Sequence, residues 1–160
     1  MKRLTISAHA CTETLTLLIA MAWADGRLDD REKDGVRGAS EVLNLSKELR
    51  AKLEQSLAKP LPLDQILLDT LSARDKAFAY VAATWMSGVD DDVDDKEKAL
   101  LDRLAASLGL DDARRKELDG IAKDLKPAKD RQWGDEIVRL FKAIPPRIEQ
   151  ETGDVEVTFK

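Results

Sequence analysis

The chain has one cysteine, Cys11, and one histidine, His9. A lone thiol cannot close an internal disulfide, and one thiol with one imidazole cannot build a Cys/His zinc site. Both residues read as the lining of a helix near the N-terminus. Aromatic residues are scarce at 4%, whereas charged residues reach 36%, a balance that favours helices over a β-sandwich. Glycine and proline are rare within the apolar stretches. Positive charge is not in excess: 26 basic against 31 acidic residues leave −5, so overall charge gives a nucleic-acid partner no support. The apolar run Leu15–Ala24 is too short to cross a bilayer, and no transmembrane segment is expected. A Gly-rich phosphate loop, a nucleophile–histidine pair and a G-x-S-x-G string are all missing. His9 also lacks the glutamate three residues before it that a ferritin-like carboxylate centre needs. A non-enzymatic protein is expected.

The N-terminus imitates a secretory signal. Lys2 and Arg3 precede the apolar run, and Ala22-Trp23-Ala24 resembles a small-residue cleavage site. A polar stretch with His9, Thr12, Glu13 and Thr14 separates the two, and the run belongs to a repeat that its removal would break. A cytoplasmic protein is the expectation.

Shifted against itself by 65 residues, the sequence matches without a gap. Asp25 falls on Asp90, Asp29 on Asp94, Asp30 on Asp95, Glu32 on Glu97 and Lys33 on Lys98. Met21 falls on Met86, Leu43 on Leu108, Leu45 on Leu110, Leu53 on Leu118 and Pro62 on Pro127. We read a duplication. The predicted architecture is a single all-α domain over residues 1–144, of eight helices in two pseudo-twofold four-helix repeats, about 7–71 and about 72–143. The tail, 145–160, is expected to be extended or disordered, although Val155, Val157 and Phe159 alternate as in a strand.

In copy one a helix from Ser7 to Ala24 carries Leu15, Leu18, Ile19 and Ala22 at helical spacing. A second begins near Asp29 or Asp30 and buries Val36, Ala39 and Leu43; Gly35 and Gly38 within it suggest close helix contact. Ser46 caps a third, with Leu49, Leu53 and Leu57, before Pro60 and Pro62. A short fourth runs through Ile66, Leu67 and Leu71. Copy two opens with the cap Ser72-Ala73-Arg74-Asp75 and continues through Phe78, Val81, Ala82 and Trp85. Its second helix holds Leu100, Leu101, Leu104 and Leu108 and ends at Gly109. Asp111 caps the next, which reaches Leu125. Pro127 opens the last, through Trp133, Ile137, Leu140 and Phe141, and Pro145-Pro146 is expected to stop it. Trp23 and Trp85 are predicted core residues.

The two acidic turns carry the functional information. The first reads Asp25-Gly26-Arg27-Leu28-Asp29-Asp30-Arg31-Glu32, the second Asp90-Asp91-Asp92-Val93-Asp94-Asp95-Lys96-Glu97. Six acids and one lysine give the second turn −5, the net charge of the whole chain. Asp29 and Asp94 suit helix N-caps, and Glu32 and Glu97 complete capping boxes. Acids there also suit the helix dipole, at about 0.3–1 kcal/mol each. Asp25 and Asp90 lie where the preceding helix should end, the unfavourable side of that dipole, and Asp91 and Asp92 add repulsion. A cation would relieve it. The donors are all oxygens, which points to calcium, magnesium or manganese. The candidate metal residues are Asp25, Asp29, Glu32, Asp90, Asp92, Asp94 and Glu97. Asp90-x-Asp92-x-Asp94 fails as an EF-hand loop, with Asp95 where glycine is required and Leu101 where glutamate is. A solvated acidic face stands as the alternative.

The string Ala22-Trp23-Ala24-Asp25-Gly26, followed by Glu32 and an apolar helix, resembles the A-x-A-D-G-x-x-x-x-x-E signature of the TerB family of tellurite-resistance proteins. The second copy, with Asp94-Asp95-Lys96-Glu97-Lys98 and Leu104-Ala105-Ala106-Ser107-Leu108-Gly109-Leu110, is similar to that family too; the likeness covers roughly residues 10–125. The resemblance implies an all-helical fold with pseudo-twofold halves, an acidic surface holding a divalent metal, and a role in tellurite resistance or a wider stress response. It also implies work near the membrane with other Ter proteins. The family's aspartate falls on Asp25 and Asp90 and its glutamate on Glu32 and Glu97. Its glycine falls on Gly26 but meets Asp91 in copy two. The competing expectation is a metal-free interaction scaffold whose acidic face docks a basic partner.

Overall fold

The computed structural model describes residues 2–24, 30–59, 66, 70–87, 95–125, 133–149 and 155–159. Among these the chain runs β1 (Lys2–Ile6), α1 (Ala8–Ala24), α2 (Asp30–Val42), α3 (Lys47–Ala58), α4 (Ala73–Ser87), α5 (Asp95–Ser107), α6 (Asp112–Asp124), α7 (Trp133–Ile148) and β2 (Val155–Phe159). The fold is mostly helical, as the composition implies.

The spacing of 65 reappears in the helix starts: 8 and 73, 30 and 95, 47 and 112. Capping chemistry recurs with it. The Ser7 hydroxyl accepts from the Ala10 amide at 3.0 Å, and Ser72 from the Asp75 amide at 3.1 Å, so α1 and α4 open alike. Ser46 accepts from the Leu49 amide, and Asp111 from the Arg114 amide, at the starts of α3 and α6. At the ends of α2 and α5 the chain turns through left-handed backbone, at Asn44 (φ 60°) and Gly109 (φ 69°). There the Leu45 amide bonds the Ser40 carbonyl and the Leu110 amide the Ala105 carbonyl, both at 3.1 Å.

Helices α1 and α4 pack together at the centre, with α3 against α1, α6 against α4, and α7 against both α2 and α4. Leu15, Leu18, Phe78, Val81, Leu104 and Ile144 are wholly buried, and Phe78 meets Phe141 edge-on with centroids 4.9 Å apart. Leu43 and Leu108 are both core residues.

Several expectations are corrected. Seven helices are present among the described residues, not eight. The recurring unit there is three helices, and a four-helix repeat does not emerge. The short fourth helix was expected where only Ile66, Thr70 and Leu71 are described; Ile66 and Leu71 are buried. Pro145 and Pro146 do not stop α7 but lie inside it. Each removes an amide from the last turn only, the Glu149 amide still reaches the Pro145 carbonyl, and Ile144 and Ile148 are buried around the pair. Gly38 is exposed, and a Cβ there would meet nothing within 4 Å, so it mediates no close contact. Of the expected tail 145–160, residues 145–148 belong to α7, and Val155–Phe159 form β2, which lies parallel to β1 with Leu4 opposite Val157 and Ile6 opposite Phe159. A two-stranded sheet thus joins the all-α expectation. No helix among the described residues is long and apolar enough to cross a membrane.

Candidate functional site

Asp25, Asp29, Asp90, Asp92 and Asp94 lie outside the described residues. Glu32 and Glu97 fall in the first turns of α2 and α5, but their side chains are also outside the described set. In chain order each acidic run begins at a joint, between α1 and α2 or between α4 and α5, and continues into the first turn of α2 or α5. Among the described residues no three His, Cys, Asp or Glu groups come together as a metal cluster.

The helices that hold these joints are pinned by polar contacts that sequence reasoning did not find. Near the end of α1 the half-buried Trp23 donates its indole N–H to the Ser56 carbonyl of α3 at 3.0 Å. Lys33 of α2 sits over its ring, 6.0 Å from the centroid. Near the end of α4 the buried Trp85 donates to the Leu125 carbonyl after α6 at 2.8 Å. These indoles are 62 residues apart, not 65, so each copy reaches the same clamp from a different position. The only legible signal was an aromatic with a polar handle on an apolar helix.

Ion pairs complete the scaffold. Arg37 of α2 grips Glu54 of α3 through Nε at 2.7 Å and also meets Asp34. That hydrogen bond holds the Glu54 carboxyl below the usual range, and it raises the arginine correspondingly. In copy two, Tyr80 of α4 donates to Asp119 of α6 at 2.8 Å and accepts from Arg115 Nε at 2.8 Å, while Arg115 also pairs with Asp102 of α5. Burial raises the Tyr80 phenol, opposed by Arg115 and assisted by Asp119. Residues 37 and 102, 65 apart, carry opposite charges, and each finds its partner on the following helix. Glu13, buried on α1, pairs with Lys52 of α3. Burial with an anionic neighbour, Asp75, pushes the Cys11 thiol up to about 12, which makes it a poor nucleophile. His9 bonds Thr70 at 2.7 Å. Both residues do line α1. Chemically, these contacts tie helix to helix.

A family model described as "Protein of unknown function (DUF533)" matches residues 6–122. No curated protein matches, and no solved structure does.

Proposed function

The chain belongs to the DUF533 family, a TerB-like family, and from that premise we propose that it is a non-enzymatic stress-response module whose acidic turns bind a divalent cation. Tellurite resistance, the role that the TerB name implies, is the finer form of the same reading. The observation that supports it is the recurrence of helix starts at a spacing of 65, which sets the two acid-rich segments at corresponding joints. Asp25, Asp29 and Glu32 would serve in the first joint, and Asp90, Asp92, Asp94 and Glu97 in the second. An all-carboxylate donor set fits a hard ion such as calcium, magnesium or manganese. When bound, the ion would supply charge neutralisation between two helices. Lys33 over Trp23 gives the first joint an optical reporter two residues from Asp25.

Calorimetric titration with calcium, magnesium and manganese, read beside Trp fluorescence, tests the proposal. Saturable binding that Asp25→Asn and Asp90→Asn weaken is the expected result. A chain that ignores all three ions leaves the acidic turns as a docking face for a basic partner, with other Ter proteins near the membrane as the candidates the resemblance implies.

A further inference from the structure

A cleft of about 440 Å³ opens where the start of α4, the α5–α6 turn and the end of α7 meet. That volume lies in the range of small-molecule sites. Arg74, Lys76, Arg114 and Glu149 line it together with the apolar Leu110 and Ile148. Two of the cations are already shared: Arg74 with Asp75 at 3.4 Å and with the Thr5 carbonyl at 2.9 Å, and Arg114 with Glu117 at 2.9 Å. Lys76 and Glu149 have no ion-pair partner among the described residues, and although they border one cleft they do not pair with each other. The cleft thus presents one unshared ammonium, one unshared carboxylate and an apolar wall.

The internal repeat argues that this arrangement is not demanded by the fold. Positions 65 residues earlier hold His9, Cys11 and Leu49 in place of Arg74, Lys76 and Arg114. Asn44 stands where the second copy has Gly109, beside which a Cβ would meet nothing within 4 Å. The first copy turns through the same left-handed backbone at Asn44 with a side chain present.

We propose that this cleft binds a small zwitterion of the amino-acid class with an apolar side chain. Its carboxylate meets Lys76, its ammonium meets Glu149, and its side chain lies on Leu110 and Ile148. Both charges are needed, because a simple anion would face Glu149 and a simple amine would face Lys76. The site shares no residue with the acidic turns, so it stands or falls separately from the proposed cation binding.

The test is titration of the full chain with phenylalanine, followed by amide chemical shifts of Leu110, Ile148 and Gly109. N-acetylphenylalanine and phenylalaninamide are the one-charge controls. The expected result is saturable shifts with phenylalanine, roughly tenfold weaker binding of either control, and a similar loss in Lys76→Gln and Glu149→Gln. Neither side chain holds a described structural contact, so unchanged melting curves confirm that both variants are folded. In Lys76→Gln the two carboxylate-bearing ligands should lose affinity while phenylalaninamide does not. Equal binding of all three ligands, or loss in neither variant, overturns the proposal.

Discussion

At the scale of single residues, burial decides behaviour more than residue type does. Cys11 is wholly inside, and its thiol stays protonated to about 12. An unfolded thiol ionises near its ordinary value of 9.0. Stability from this group is therefore complete below that pH and falls as pH rises toward the folded value, by up to about 1.4 kcal/mol per unit. Denaturation of wild type and Cys11→Ala between about pH 9 and 11 should show the wild type falling more steeply; parallel curves would contradict the burial argument. Trp85 offers a second check. It is buried and its N–H is spent on the Leu125 carbonyl, so Trp85→Ala should cost about 3–5 kcal/mol. Trp23 is only half-buried, and its replacement should cost less.

At the scale of elements, the helix ends were the most legible part of the sequence. Ser7, Ser46, Ser72 and Asp111 all stand where a short polar side chain caps, and all do so. Gly109 follows the end of α5 as expected and does so in left-handed backbone, and Asn44 takes its counterpart. Gly109→Ala should destabilise by about 1–2 kcal/mol, and Asn44→Gly should be neutral or stabilising by up to about 1 kcal/mol. Urea midpoints moving in the same direction for both would show that the two turns are not alike. The acidic joints admit a similar separation. Asp29→Ala should lose about 1 kcal/mol without metal, as the capping role read from the sequence implies, and more with metal, because Asp29 is also a proposed ligand. Asp25→Asn should stabilise the metal-free chain by relieving a helix end, and should erase about 2.7 kcal/mol of gain at a hundredfold excess of ion over Kd. Melting curves in millimolar calcium, magnesium and manganese decide between these outcomes.

At the scale of the whole molecule, what the sequence hid was whatever depends on distant neighbours. The repeat was visible because acidic residues and leucines recur in one register. The Tyr80–Arg115–Asp102 network was not, because its members are drawn from α4, α6 and α5 and none carries a local motif. Nor was the length of α7 visible: two prolines are a local stop signal, which the burial of Ile144 and Ile148 overrides. The candidate metal residues were chosen by repulsion at helix ends, an argument that needs only the chain order. The cleft at Lys76 and Glu149 brings α4 beside the end of α7, a juxtaposition no spacing rule encodes.

The parallel pairing of β1 with β2 has a mechanical consequence. Lys2 lies opposite Val155 and Ile6 opposite Phe159, so residues 2 and 159 sit at opposite ends of one short ladder. Tension applied at those two residues loads the ladder in shear, with all its bonds strained together, whereas an antiparallel pair pulled the same way would unzip one bond at a time. The Arg3–Glu156 pair and the Thr5–Thr158 hydrogen bond, at 3.2 and 3.0 Å, share that load across the exposed face. Pulling between residues 2 and 159 in a force spectrometer should therefore give an initial rupture well above that for a handle moved from 159 to 155, which peels β2 from its first residue. Equal rupture forces for the two attachments would show that the helices, not the strands, bear the first load.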